Sequence, residues 1–355
     1  VGWTDWLAHC IGLAWVATTV GELLAGWIPA ESGANWHGQT LALVVLSLFS
    51  AIQLLGVRAG GASQELLSLV KAVAFLGLAL ASFLLPTPAA ELGANDPTLL
   101  APQTPALAVG AVLALQAVIT TFDGWASPVY FAEEFTEPSR DLPRSLIGGV
   151  LAVLALYLLI NGALLHVLPL PVLSQANLPA ADAARSLMGA RGGQAIAAVA
   201  LVSLLGLINT VVMAAPRILY GLSRDRLMPA FLSRVNPGGT PTVAVLLTSG
   251  CAGLLVLTGS FDALLGMGAV LYVGLPLSGI AAQLWLRQQQ PDLPRPFLCW
   301  GYPVTPWLVG CGSIAFLMGA VANDTANSLW ALGLVGAGAL AGEAWQRFGS
   351  DGLQA

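Results

Sequence analysis

Thr121-Phe122-Asp123-Gly124-Trp125-Ala126-Ser127-Pro128-Val129-Tyr130-Phe131-Ala132 is the stretch on which the reading of this chain turns. The apolar run before it, 105–120, holds sixteen residues. As a helix that run reaches about 24 Å, short of a hydrocarbon core of about 30 Å. Asp123 therefore falls deep inside an apolar layer. Gly124 weakens a helix there. Ser127 followed by Pro128 reads as an N-cap with proline at the first helical position. The spacing predicts two half-helices joined by an unwound link at 122–126. Backbone left unpaired at such depth is tolerated only where it lines a cavity or is buried in protein. A kinked structural helix, with Asp123 as cap or ion-pair partner, is the competing reading. A carboxylate in mid-span is costly and marks a pathway or relay, which favours the functional one.

The rest of the chain sets the apolar layer. Of 355 residues 57% are hydrophobic and only 9% charged, and mean hydropathy is +0.80. Soluble domains carry about 25% charged residues. This composition excludes an ordinary soluble enzyme, a nucleic-acid binder and a disordered chain, and predicts an all-α polytopic membrane protein. Ten segments are apolar enough to span: roughly 3–28, 39–57, 65–86, 105–135, 144–168, 194–222, 242–259, 263–286, 303–322 and 327–346. Prolines and Asn236-Pro237-Gly238-Gly239 punctuate them, and the short alternating strands of a β-barrel are absent from the pattern. Loops at about 87–104, 169–193 and 223–240 are too short for a core of their own. Arg58, Lys71, Arg140, Arg144, Arg217, Arg224, Arg226, Arg234, Arg287, Arg295 and Arg347 fall on one side; only Arg185 and Arg191 fall on the other. By the positive-inside rule the first side is cytoplasmic, and ten spans put both termini there. Trp3, Trp6, Trp285, Trp300, Trp307 and Trp345 near inner ends, and Trp27, Trp36 and Trp330 near outer ends, read as interface anchors. Trp15 and Trp125 fall in mid-span.

Few polar groups stand out. Lys71, the single lysine, lies in the third span. It either snorkels to the cytoplasmic surface or is a buried ammonium paired with carbonyls or a carboxylate and able to exchange a proton. Glu133 and Glu134 close the second half-helix near Arg140 and Arg144, which suggests an inner-gate or structural ion-pair role. Arg217, Arg224, Arg226 and Asp225, at the cytoplasmic end, read as orienting charges in solvated pairs, with a share in gating as the other reading. His9, near Asp5 and Trp15, reads as a structural histidine. Asn161 and Asn209 read as interhelical glue. Cys10, Cys251, Cys299 and Cys311 read as packing residues. No metal cluster, phosphate loop or nucleophile–base pair is visible, so no cofactor, no metal and no enzyme activity is expected.

Several stretches resemble one family. Phe122-Asp123-Gly124-Trp125 through Ala132-Glu133-Glu134-Phe135-Thr136-Glu137-Pro138-Ser139-Arg140-Asp141-Leu142-Pro143-Arg144 resembles the sixth span and following loop of amino acid permeases, the amino acid–polyamine–organocation transporters. Arg217-Ile218-Leu219-Tyr220-Gly221-Leu222-Ser223-Arg224-Asp225 with Met228-Pro229 and Gly239-Thr240-Pro241 resembles the end of their eighth span and its loop. Pro291-Asp292, Arg295-Pro296 and Tyr302-Pro303 resemble the loop before their eleventh span. Gly56-Val57-Arg58 and Gln64 to Lys71 resemble the start of their fifth. The resemblance covers essentially the whole chain.

It implies the twelve-span, leucine-transporter-like fold of two inverted five-span repeats plus two final spans. The ten spans here match the third to the twelfth. Residues 1–86 would be the remainder of the first repeat, 105–286 the second repeat and 303–346 the final pair, all in one transport domain. The family's Gly-rich break in its first span has no counterpart in 3–28, so the first two spans are expected to be missing. Carried over by position, Thr121, Phe122, Asp123, Gly124, Trp125 and Ala126 line the substrate site, with Phe122 or Trp125 as an aromatic gate. The preceding half-helix would hold the substrate amine at its partially negative end. Lys71 matches a fifth-span lysine that stands where sodium-coupled relatives hold sodium. The implied activity is secondary transport of amino acids or related amines, proton-coupled or exchanging, by alternating access in a bacterial inner membrane. The expected partners are the substrate and the lipid bilayer, with no nucleic acid. A non-transporting fragment or membrane assembly partner is the alternative.

Overall fold

A computed structural model describes residues 1–27, 38–86, 118, 121–122, 124–176, 178–258 and 261–348. Among them the chain is helical without strands: α1 (Gly2–Trp27), α2 (Gly38–Leu54), α3 (Val57–Leu84), a 3-10 segment (Ser127–Glu134), α4 (Pro138–Val167), a short α5 (Leu170–Gln175), α6 (Pro179–Arg224), a second 3-10 turn (Ala230–Ser233), α7 (Thr242–Thr258), α8 (Phe261–Gln289), α9 (Val304–Asn323) and α10 (Thr325–Phe348). Nine of the ten predicted spans coincide with described helices. About half of the other, 105–117 with 119–120 and 123 of the span at 105–135, lies outside the described residues, as does the loop at 87–104. By length and composition α1, α3, α4, α6 and Val270–Gln289 of α8 are each long and apolar enough to cross a membrane, and α2, α7, α9 and α10 contain shorter apolar helices. The fold is that of an all-α membrane protein.

The helices form two compact units, residues 1–62, 127–143 and 207–355 in one and 63–126 with 144–206 in the other. In the first unit α1 is the core. Its Cys10, Ile11, Leu13, Ala14, Ala17 and Val20 are wholly shielded, and it packs on α2, α7, α8 and α10. Small residues let the neighbours close in. A side chain at Gly21 would run into the Gly38 carbonyl of α2, and one at Gly12 into the Tyr272 hydroxyl of α8, which donates to the Ala8 carbonyl at 3.1 Å. Trp3 and Trp6 correct the interface reading. Trp6 is buried and donates to Thr248 Oγ1 at 2.9 Å, and Trp3 donates to the Leu334 carbonyl of α10 at 3.3 Å. An indole with a polar partner inside the protein gains more by burying its ring there than at the lipid surface. Trp27, Trp285, Trp300, Trp307 and Trp330 are exposed, as interface anchors are.

A polar junction holds this unit at the α2–α3 turn. Gln53 donates to Asn209 Oδ1 at 2.8 Å, and Asn209 donates to the Gly60 carbonyl at 3.3 Å. Thr240 and Asn236, from the loop before α7, donate to the carbonyls of Gln53 (2.8 Å) and Leu54 (2.7 Å). Asn209 is interhelical glue, as its position in an apolar run predicts. The end of the 223–240 loop is thereby pinned to the α2–α3 turn.

The second unit corrects another expectation. The stretch 169–193, read as a loop, is helical through α5 and the first turns of α6, which bends at Gly189 (φ +72°). Its alanines face inward. Ala181 and Ala184 pack with Leu78 and Ile196, and Ala183 with Val167 and Leu168. Two arginines and an aspartate on the outer face hide this apolar stripe from a simple hydropathy count.

Candidate functional site

Among the described residues, the chain leaves helix after Thr121. Phe122 N–H donates to the Val118 carbonyl at 3.1 Å, closing a last helical turn. Gly124, Trp125 and Ala126 then form turns rather than helix, with Gly124 at φ +90°, a conformation only glycine adopts without strain. Ending a helix orphans its last carbonyls. The Tyr157 hydroxyl, from α4, donates to the Thr121 carbonyl at 3.1 Å, and its ring meets Phe122 edge-to-face at 5.2 Å between centroids. Tyr157 was not legible in the sequence; nothing distinguishes it from other aromatic residues in a span. Trp125 is exposed and Ala126 half-buried. Asp123 lies outside the described residues.

In the same unit Lys71 stands near the middle of α3 and is half-buried. It lies against α6 at Gly206, where an added Cβ would come within 3.2 Å of Lys71 Nζ. A glycine on the facing helix is what admits an ammonium so far from either end of α3. The structure joins Lys71 to α6 and the broken link to α4.

The segment after the break belongs to the first unit, and it differs from the predicted half-helix. Ser127–Glu134 is 3-10 helix, with Phe131 off helical geometry. Tight 3-10 geometry suits a short piece held by its side chains, and those contacts are numerous. Tyr130 donates to Asp5 Oδ1 at 2.9 Å and lies edge-on to the His9 ring at 5.1 Å. His9 Nδ1 stands 2.8 Å from the Asp5 carbonyl and 3.3 Å from Asp5 Oδ1. The histidine thus belongs to a hydrogen-bonded cluster on α1.

The carboxylates pair otherwise than their spacing predicts. Glu134 Oε1 accepts from Arg217 Nη2 at 2.6 Å and from Nε at 3.0 Å. Arg217 also donates to the Met213 carbonyl and covers the Phe131 ring at 4.5 Å. Glu133 accepts from Arg224 Nη1 at 2.7 and 2.8 Å. Arg140 instead meets Glu137 at 3.4 Å, and Arg144 is exposed on α4. Arg217 and Arg224 are two helical turns apart on α6, so one face of that helix reads both glutamates. Sequence proximity favoured Arg140 and Arg144; tertiary folding brought a more distant pair.

A family model described as amino acid permease matches residues 1–339. The chain belongs to the amino acid permease family. It is similar to a serine/threonine exchanger of Bacillus subtilis (strain 168), 29% identical over 216 residues, which is 60% of this chain and 49% of that protein. It is also similar to a branched-chain amino acid permease of the same organism, 31% identical over 209 residues, 56% of this chain and 43% of that protein. A basic amino-acid permease of Saccharomyces cerevisiae is 25% identical over 268 residues, 70% of this chain and 46% of that protein. The chain spans about half the length of the curated relatives it matches. The resemblance in the motifs is thus borne out at the level of the family, and this permease-family chain is an integral membrane protein.

Proposed function

We propose that the protein carrying this chain is a secondary transporter of amino acids or related amines, working by alternating access about the break at 121–126. The supporting observation is the turn at Gly124, which interrupts an apolar span and ends a helix on Thr121. A helix end of this kind presents carbonyl oxygens and partial negative charge, suited to a substrate ammonium. Phe122, Trp125 and Ala126 follow that end in the chain, and Asp123 adds a carboxylate at the same place in the chain. Relatives that are exchangers and permeases of amino acids support the same substrate class.

Lys71 is proposed as the coupling group. A lone ammonium beside a neighbouring glycine occupies the space an ion would take and is able to release a proton, which fits proton symport or exchange. Glu133 and Glu134, with Arg217 and Arg224, are proposed to hold the segment after the break through the transport cycle. The repeat organisation, 1–86 against 105–286 with 303–346 outside it, is part of the proposal. So is placement in a bacterial cytoplasmic membrane with both termini inside, which rests on the distribution of basic residues.

Counter-flow exchange in liposomes tests the reading. Protein preloaded with unlabelled serine, leucine or arginine should accumulate the labelled form of at least one. Absence of exchange with every amino acid and amine tried, by folded protein, would favour an assembly partner instead.

A further inference from the structure

The loop between α8 and α9 carries a feature that the transport reading leaves unused. A cavity of about 380 Å³ opens at the end of α8, and Arg287 and Arg295 both line it. Its remaining wall is mainly apolar, with Leu286, Leu293 and Phe297 prominent. Among the described residues no Asp or Glu lines it, although Asp292 lies in the same loop. Two guanidinium groups thus share a hollow without a carboxylate.

Both arginines are held in place. Arg295 donates from Nη1 to the carbonyls of Pro291 (2.8 Å) and Leu293 (2.9 Å) and from Nη2 to that of Gln290 (2.7 Å). A guanidinium has five N–H groups. Three are engaged by carbonyls of the loop after α8, and two remain for a ligand. Arg287 lies flat over Tyr302, 3.9 Å from the ring centre, which leaves its edge for hydrogen bonding. A planar fork with preset orientation is the usual cradle for phosphate.

The surroundings decide which phosphate. Trp285, Trp300 and Trp307 are exposed on the adjoining helix ends and loop, as are Leu293, Phe297 and Leu298. Exposed tryptophans at the ends of apolar helices mark headgroup depth. Basic pockets at that depth are where anionic lipid headgroups bind.

We propose that this cavity binds the phosphate headgroup of an anionic phospholipid, whose acyl chains lie along Leu286, Leu293 and Phe297. The inference asks only that the chain sit in a membrane, and it stands whether or not the protein transports amino acids.

Native mass spectrometry of the detergent-purified full-length protein, offered phosphatidylglycerol and phosphatidylcholine in equal amounts, tests it. The wild type should retain phosphatidylglycerol preferentially. Arg287→Gln leaves the bonds of Arg295 to the loop carbonyls intact and should lower phosphatidylglycerol retention about fivefold, the effect of one basic residue at the headgroup level. Phosphatidylcholine retention should not change, and Arg287→Lys, which keeps the charge but loses the planar fork, should fall between Arg287→Gln and wild type. If Arg287→Gln does not fold, Leu293→Asp, on the exposed loop, places a carboxylate in the cavity and should have the same effect. No lipid preference in the wild type would overturn the proposal. So would full retention by the folded variants, or displacement of the lipid by inorganic phosphate at equal concentration.

Discussion

Gly124 is the residue on which the proposed site depends most. Its φ of +90° costs a side-chain-bearing residue about 1–2 kcal/mol. Gly124→Leu is therefore expected to reform or distort the helix across the break and to lower uptake roughly tenfold. The initial rate of labelled substrate entry into proteoliposomes is the readout, and wild-type rates would argue against a substrate site at the turn. Lys71 makes a different claim. If it carries the coupling, Lys71→Ala should retain exchange of substrate for substrate but lose accumulation driven by an imposed proton gradient. Gly206→Leu should produce the same loss by crowding the ammonium from its place on α6. Equal gradient-driven accumulation in wild type and Lys71→Ala would remove the lysine from the mechanism.

At the scale of elements, the segment Ser127–Glu134 draws its order from neighbours rather than from its own hydrogen bonding. Arg217 is only 15% exposed and Glu134 47% exposed, so that pair is partly shielded; Arg224 and Glu133 are 51% and 72% exposed. Exposed ion pairs contribute about 0–1 kcal/mol. A double-mutant cycle on Glu134 and Arg217 should give a coupling near about 1 kcal/mol, with that on Glu133 and Arg224 near zero. Thermal unfolding in detergent measures both, and a larger coupling in the outer pair would reverse this assignment. The junction at the α2–α3 turn is buried more completely: Asn209 is 0% and Gln53 3% exposed. Asn209→Leu leaves the Gln53 amide without its partner and should destabilise by about 1–3 kcal/mol. A melting temperature unchanged from wild type would show that Gln53 finds another acceptor.

For the whole molecule, the asymmetry of basic residues is the guide to orientation. Apart from Lys71 inside α3, ten of the thirteen fall on one side of the predicted spans and two on the other. Loops rich in arginine and lysine stay in the cytoplasm. A fluorescent protein that matures only in the cytoplasm, fused after Ala355, should therefore be bright in cells. Cysteines placed in the 223–240 loop should resist impermeant maleimide until the membrane is opened. A dark fusion, together with loop cysteines labelled from outside, would invert the arrangement.

Composition and apolar length were sufficient for the membrane class and for nine of the ten spans, because each depends on residues close in sequence. Helix burial against lipid needs only a run of apolar side chains. The junctions were decided by the tertiary structure. Arg217 rather than Arg140 for Glu134, Tyr157 for the Thr121 carbonyl, Trp6 turned inward to Thr248, and alanines of 179–184 packed into a predicted loop all join residues from different helices. Such pairings depend on which faces meet when helices pack. In an almost uniformly apolar chain, hydropathy marks a helix but not the face it turns to its neighbour, because lipid and protein interior are nearly equally favourable for a leucine.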